Sequence, residues 1–307
     1  VVAVTEEFMA QQHVNDGFGC RNSGMPLGGI GAGSLEIRPD GYFHNWLLMN
    51  NRPWGAGPET KAMERVGLRF ALCADWGRGR RCLSLGRHLG MDPKEDGWFW
   101  LSDPYHLPWV EHPTDIVYSA KFPFATLEYD FPSLPLGIRL RAWSPFVPHQ
   151  ASDSNTPAAV LCFRIENPTP EPCRVGLMGL LKNAVGYDRP DLVSKIEVAD
   201  LGPEATGRRH SALRFGRIGQ NAQASSAGSM ALVVTSGQGF DVSHAIHPRH
   251  GRDLFDPLMK TGRLEDTDYG RKSAPRPRCR GPRACSAARS RRTWRFCRTT
   301  RRRSRSS

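Results

Sequence analysis

Several stretches of this chain carry residue types that do chemistry, and their spacing decides which chemistry is open to them. SHAIHPRH (243–250) places His244, His247 and His250 three apart, and three imidazoles can hold a transition metal. Pro248 interrupts any helix that would bring them to one face, so the segment reads as a solvated loop and no metal is expected. GMPLGGIGAGS (24–34) is glycine-rich. A dinucleotide site needs G-x-G-x-x-G between a strand and a helix, so that the helix N-terminus meets the pyrophosphate. Gly29, Gly31 and Gly33 do not fit that spacing, and the residues after them are strand-like rather than helical. These glycines are read as allowing close backbone approach, and no cofactor is expected.

YFHNWLLMNNRPW (42–54) mixes aromatic rings with amides and an imidazole. Phe43, His44, Asn45, Trp46, Asn50 and Asn51 could form a sugar-contacting strip, the rings meeting C–H faces while the polar groups reach hydroxyls. The same composition suits a core strand that leads into a polar turn. WFWLSDPYHLPWV (98–110) is equally aromatic and reads as a core plug or an interdomain surface. Glycoside hydrolysis needs two carboxyl groups at a set separation across a cleft. Glu128 with Asp130, and Asp153 with Glu166, are the obvious carboxylates, yet no spacing marks a catalytic pair. There is no GxSxG, HExxH or CxxC, so no catalytic residue is assigned.

The elements that must position these groups are strands. SLEIRPDGYFHNW (34–46) alternates apolar and polar residues around a Pro-Asp-Gly turn, predicting a hairpin. VGLRFAL (66–72), FATLEYDF (124–131), LGIRLRAWSPF (136–146), AAVLCFRIENP (158–168), CRVGLMGLL (173–181), ALRFGR (212–217) and SMALVVTS (229–236) continue the pattern. Short strands at 8–12-residue spacing predict an all-β fold, a sandwich or a barrel, and a large antiparallel β-sandwich of two packed sheets is the form expected. One helix is expected, over DLFDPLMKTGRLED (253–266).

Charge divides the chain. Residues 271–307 hold 15 of the 42 Lys and Arg and none of the 30 Asp and Glu. Residues 1–270 therefore carry 27 basic and 30 acidic side chains, a net of −3, so the overall +12 describes the tail alone. The expected division is a domain over 1–270 and a disordered Arg-rich tail over 271–307. The tail reads either as a basic arm for nucleic acid or acidic lipid, or as a shifted reading frame; the abrupt switch favours the latter, and no nucleic-acid partner is expected. Of the five cysteines before residue 271, none suggests a framework, though a single bridge stays open. No run of 18 apolar residues occurs, so no transmembrane helix is expected. No signal peptide is visible, which favours a cytoplasmic location.

In order along the chain, SGMPLGGIGAGSLEIRPDGYFHNWLLMNN (23–51), FPFATLEY (122–129), IRLRAWSPFVPHQASDSNTPAAVLCFRIENPTPEPCRVGL (138–177) and DLFDPLMKTGRLED (253–266) resemble the amino-terminal domain of glycoside hydrolase family 116, the non-lysosomal glucosylceramidase and β-glucosidase family. The resemblance implies a β-sandwich that partners a C-terminal (α/α)6 toroid in a retaining β-glycosidase acting on β-glucosides or glucosylceramide-like substrates. The family's Glu nucleophile and Asp acid/base lie in the toroid, and no position here matches either. The expected function is thus an accessory fragment, inactive alone and lacking its catalytic domain. The strip of Gly29, Gly31, Gly33, Phe43, His44, Asn45, Trp46, Asn50 and Asn51 is the expected interdomain or sugar contact. The alternative is a stand-alone carbohydrate-binding or scaffold sandwich whose basic tail binds acidic polymers.

Overall fold

The computed structural model describes residues 11–13, 24–48, 63, 67–77, 79–87, 107, 109–189, 191–204, 207–237, 240–246 and 252–265. These belong to one unit, Val1–Asp266. Asn50, Asn51, His247, His250, most of 98–110 and the whole of 271–307 lie outside the described residues.

The described residues form an all-β structure, as alternation predicts. The strands are β1 (Gln11–His13), β2 (Met25–Leu27), β3 (Ser34–Ile37), β4 (Phe43–Leu47), β5 (Leu68–Asp75), β6 (Arg80–Ser84), β7 (Val110–Glu111), β8 (Asp115–Lys121), β9 (Phe124–Asp130), β10 (Gly137–Trp143), β11 (Val160–Glu166), β12 (Arg174–Leu181), β13 (Ser194–Pro203), β14 (Arg209–Arg217) and β15 (Met230–Ser236). Helix α1 is Ala151–Ser154 and helix α2 is Arg252–Thr261. A five-stranded sheet runs β1-β8-β9-β10-β11 and a four-stranded sheet β12-β5-β6-β7. Two three-stranded sheets, β2-β3-β4 and β13-β14-β15, add to the expected pair.

Side-chain alternation assigns the faces. In β9 and β10, Ala125, Leu127, Tyr129, Ile138, Leu140 and Ala142 are buried while Glu128, Asp130, Arg139 and Arg141 face water. The buried set joins Leu72, Ala74 and Leu83 of the four-stranded sheet and Ile37, Phe43 and Trp46 of the small sheet in one apolar cluster. Phe70 of β5 meets Phe163 of β11 at 4.8 Å between ring centroids and Phe43 of β4 at 6.2 Å, so three sheets share this core. β11 and β12 follow one another in sequence but pair in different sheets, and the ENPTPEP turn carries the chain across.

The four-stranded sheet is covered on its second face too. Ala71, Cys73, Cys82 and Met178 pack against Leu254, Phe255 and Leu258 of α2. This explains why β5 reads as an almost continuous apolar run rather than a clean alternation. α2 ends earlier than the sequence predicts, because Gly262 takes φ +78° and its N–H caps the carbonyl of Leu258 at 2.9 Å. The Arg80 guanidinium donates to the carbonyl of Met259 at 3.0 Å and also to that of Lys260, placing positive charge at the helix C-terminus. Cys73 and Cys82, opposite one another on β5 and β6, form a disulfide with Cα atoms 4.2 Å apart. This is the single bridge that composition left open.

Two core tyrosines give the fold an alkaline limit. Burial, the main cause, pushes the Tyr118 hydroxyl up to about 12, and burial likewise raises Tyr129. An unfolded tyrosine loses its proton near pH 10, so the folded state binds more protons above that pH. The associated stability is fully present below pH 10 and is lost as pH rises toward 12; for Tyr118 it amounts to ~3 kcal/mol. Denaturant midpoints are expected to fall steadily from pH 10 upward, with tyrosinate absorbance from these two rings appearing together with unfolding. A flat midpoint across pH 10–12 would contradict this account.

Candidate functional site

The glycine segment and the strip after it fold into the β2-β3-β4 sheet. Its loop, 28–33, lies against α1 and the turn before it. Gly28 N–H donates to Ser144 Oγ at 2.6 Å, and Ile30 N–H donates to the Ser154 carbonyl at 2.9 Å. Ser154 is itself fixed, exchanging hydrogen bonds through its hydroxyl with the N–H and carbonyl of Val147. A Cβ on Gly29 would sit 2.5 Å from the Asn155 carbonyl oxygen. One on Gly33, where φ is +97°, would sit 2.6 Å from that of Leu47. Close backbone approach is therefore what the glycines supply. Ile30 is left at the loop tip, 61% exposed.

β4 contains a bulge. Glu36 pairs with His44 and Ser34 with Leu47, so Asn45 and Trp46 together oppose Leu35. Asn45 takes a left-handed φ of 48°, which asparagine tolerates better than most residues. A regular strand would put Phe43 and Trp46, three apart, on opposite faces. The bulge turns both into the core, where Phe43 is fully enclosed and Trp46 is 2% exposed. The Trp46 indole N–H donates to the Phe43 carbonyl at 2.9 Å. Of the two readings of this segment, the core strand describes these two rings, and neither presents a sugar-stacking face.

His44 and Asn45 are also turned inward, onto carboxylates. His44 Nε2 lies 2.8 Å from Asp40, which also accepts from the Tyr42 N–H at 2.9 Å. Glu36 accepts from Asn45 Nδ2 at 2.7 Å and from Arg38 at 2.8 and 3.0 Å. Glu36, Asp40 and His44 are all buried. Buried charges must be paired in this way, and the pairs leave these carboxylates no approach to a substrate. Sequence reading missed Glu36 and Asp40; a carboxylate four residues before a histidine across a tight turn is the signal that marks the Asp40–His44 pair.

The four carboxylates that the sequence singles out, Glu128, Asp130, Asp153 and Glu166, lie apart from this network. Glu128 pairs with Arg139 at 2.6 Å, Glu166 with Arg164 at 2.5 Å, and Asp130 accepts from Thr114 Oγ1 at 2.7 Å, all on the outer face of the five-stranded sheet. Asp153 sits in α1. None is placed beside another across a cleft of the kind that a two-carboxylate mechanism uses. Among the described residues, no group of three or more His, Cys, Asp or Glu is arranged to hold a metal, and no helix is long and apolar enough to cross a membrane.

What the geometry does provide is a rigid, glycine-built loop end on a β-rich body. Comparison with protein families gives that body its place. A family model described as "beta-glucosidase 2, glycosyl-hydrolase family 116 N-term" matches residues 24–294, beginning at the glycine loop and running past residue 270, where composition changes. The match spans β2 to β15, both helices and more than half of the chain, and the chain belongs to glycosyl-hydrolase family 116, of which it carries the N-terminal domain.

Proposed function

We propose that this domain is the non-catalytic partner of a C-terminal (α/α)6 domain in a retaining β-glucosidase or glucosylceramidase-type enzyme, and that it hydrolyses nothing alone. The observation that carries this reading is the state of its carboxylates. Among the described residues, Glu36 and Asp40 near the strip are locked in buried pairs, Glu128, Asp130 and Glu166 sit on a sheet face, and Asp153 sits on a surface helix. The nucleophile and acid/base then belong to the helical domain, and the substrate, a β-glucoside or glucosylceramide-like molecule, is met only by the intact enzyme. Docking uses the loop of Gly29, Gly31 and Gly33. Its backbone is fixed by Ser144 and Ser154, and Ser154, which accepts from the Ile30 N–H, also holds the backbone of Val147, 37% exposed. Exposed apolar residues on a rigid support are what a domain interface needs.

The test combines this chain with a separately produced catalytic domain from the same family. The chain alone is expected to release no nitrophenol from p-nitrophenyl β-glucoside. It is expected to co-elute with the catalytic domain, and Ile30→Asp is expected to weaken that association at least tenfold with an unchanged melting temperature. Hydrolysis by the chain alone would remove the accessory reading, and an unaffected Ile30→Asp complex would remove the docking face.

A further inference from the structure

One edge of the β13-β14-β15 sheet carries a pattern that the domain itself does not use. β13 is an outer strand, and among the described residues β14 is its one strand neighbour. An outer strand offers unpaired N–H and C=O groups to a further strand. Lys195 and Glu197 stand on the same face of β13, 2.8 Å apart, with about half of each side chain in water. Arg214 of β14 lies opposite Glu197. In the next row on that face, Ala199 lies opposite Ala212, and Ala212 lies opposite Val233 of β15, which is 49% exposed. At the start of the strand, Val193 is 58% exposed and its carbonyl accepts from the N–H of Ile218, itself 59% exposed. On the other face of the sheet, Ile196 lies opposite Phe215, and Phe215 opposite Met230.

We propose that β13 is the interface for a second copy of this chain, paired edge to edge and antiparallel about a two-fold axis at Ile196. A two-fold axis perpendicular to a sheet keeps its faces, so each possible register is centred on a single residue. Centring on Lys195 or on Glu197 sets like charges against one another. Centring on Val198 or Ala199 gives neither charge an opposite partner. Centring on Ile196 sets Lys195 of each copy opposite Glu197 of the other, twice by symmetry. The same register carries the remaining rows across the join. Val193 and Ile218 of one copy continue the Ala199, Ala212 and Val233 row of the other, and Ile196 meets its own counterpart, joining the two Phe215 rows. Charge thus meets opposite charge, and apolar row meets apolar row, in one register. The pairing covers residues 193–199 and stops short of the irregularity between Asp200 and Gly202, which would break a longer ladder. A lysine on an outer strand ordinarily turns added strands away. With a glutamate two residues on, it rejects unlike strands and admits a copy of this one. β15, the other edge of this sheet, has no charged residue from Met230 to Ser236 to fix a register. A contact of β13 with β15 would join unlike edges and grow without closing, whereas β13 on β13 closes as a dimer.

The test is sedimentation velocity of the full chain over a concentration series, with free thiols capped by iodoacetamide so that no species is linked by a disulfide. A monomer–dimer equilibrium is expected. Lys195→Glu and Glu197→Lys are each expected to weaken it about tenfold, and to leave the melting temperature of the dilute chain in place, because both side chains are half in water on an outer strand. An equimolar mixture of the two variants is expected to recover the dimer, because the two carboxylates of the first then face the two ammonium groups of the second. A loss of folding would give no such recovery. A chain that stays monomeric up to about 100 µM would overturn the proposal. So would a series of ever larger species, a dimer indifferent to both substitutions, or a mixture whose members stay apart. None of these outcomes touches the docking reading, which is measured through Ile30 and a different partner.

Discussion

Trp46→Ala is expected to destabilise the domain by about 3–5 kcal/mol, measured as a shift in denaturant midpoint. Trp46 is among the largest fully buried side chains, it lies 6.4 Å from the Phe43 ring, and its N–H is satisfied within the core. Truncation removes the transfer free energy of the indole and leaves a cavity. The cavity cannot close easily, because the bulge at Asn45 and the tight approach of Gly33 to Leu47 hold the backbone of β4 on both sides. A folded domain has only ~5–15 kcal/mol in total, so this one change is expected to bring the domain close to unfolding. If instead Trp46 served a ligand, its removal would leave the midpoint in place and alter binding. A loss below ~1 kcal/mol would therefore contradict the core assignment.

Asp40→Ala is expected to cost about 3 kcal/mol by the same measurement. Asp40 accepts from the Tyr42 N–H and from His44 at once, inside a buried turn. Removing the carboxylate takes an acceptor from both, in a turn that the core encloses. Asp40→Asn keeps an amide oxygen for the Tyr42 N–H, so it is expected to recover at least half of the loss. Equal effects of the two substitutions would mean that the acceptor geometry is not what holds the turn.

Much of the architecture was legible from local pattern. The alternation in 124–131 and 136–146 gives β9 and β10 as an antiparallel pair, and the Pro-Asp-Gly turn gives the β3-β4 hairpin. β13 was not legible. Lys195, Glu197 and Asp200 make SKIEVADLGP look like a loop, and its apolar positions stay partly exposed in the fold, Val198 at 47%. It is a strand because β14 pairs with it along its whole length, a fact of tertiary context. The strip at 42–54 was legible only as two competing readings. Composition there suits a core strand as well as a sugar contact, and the bulge that turns both Phe43 and Trp46 inward leaves no mark in local pattern. The grouping of Phe122, Phe124, Trp143 and Phe146 at one end of the sheet was hidden because a turn, two strands and a following segment supply them, and only strand register brings them together.

The Cys73–Cys82 bridge has a further consequence for how this domain breathes. Cys82 is fully buried, Cys73 is 4% exposed, and both lie beneath the apolar face of α2. Thiol–disulfide exchange requires a thiolate to approach one sulfur directly. Here the covering helix must lift away first, which means releasing Leu254, Phe255 and Leu258 from the sheet and Arg80 from the helix end. The bond is thereby shuttered, and the rate at which an added reductant cuts it counts how often the shutter opens.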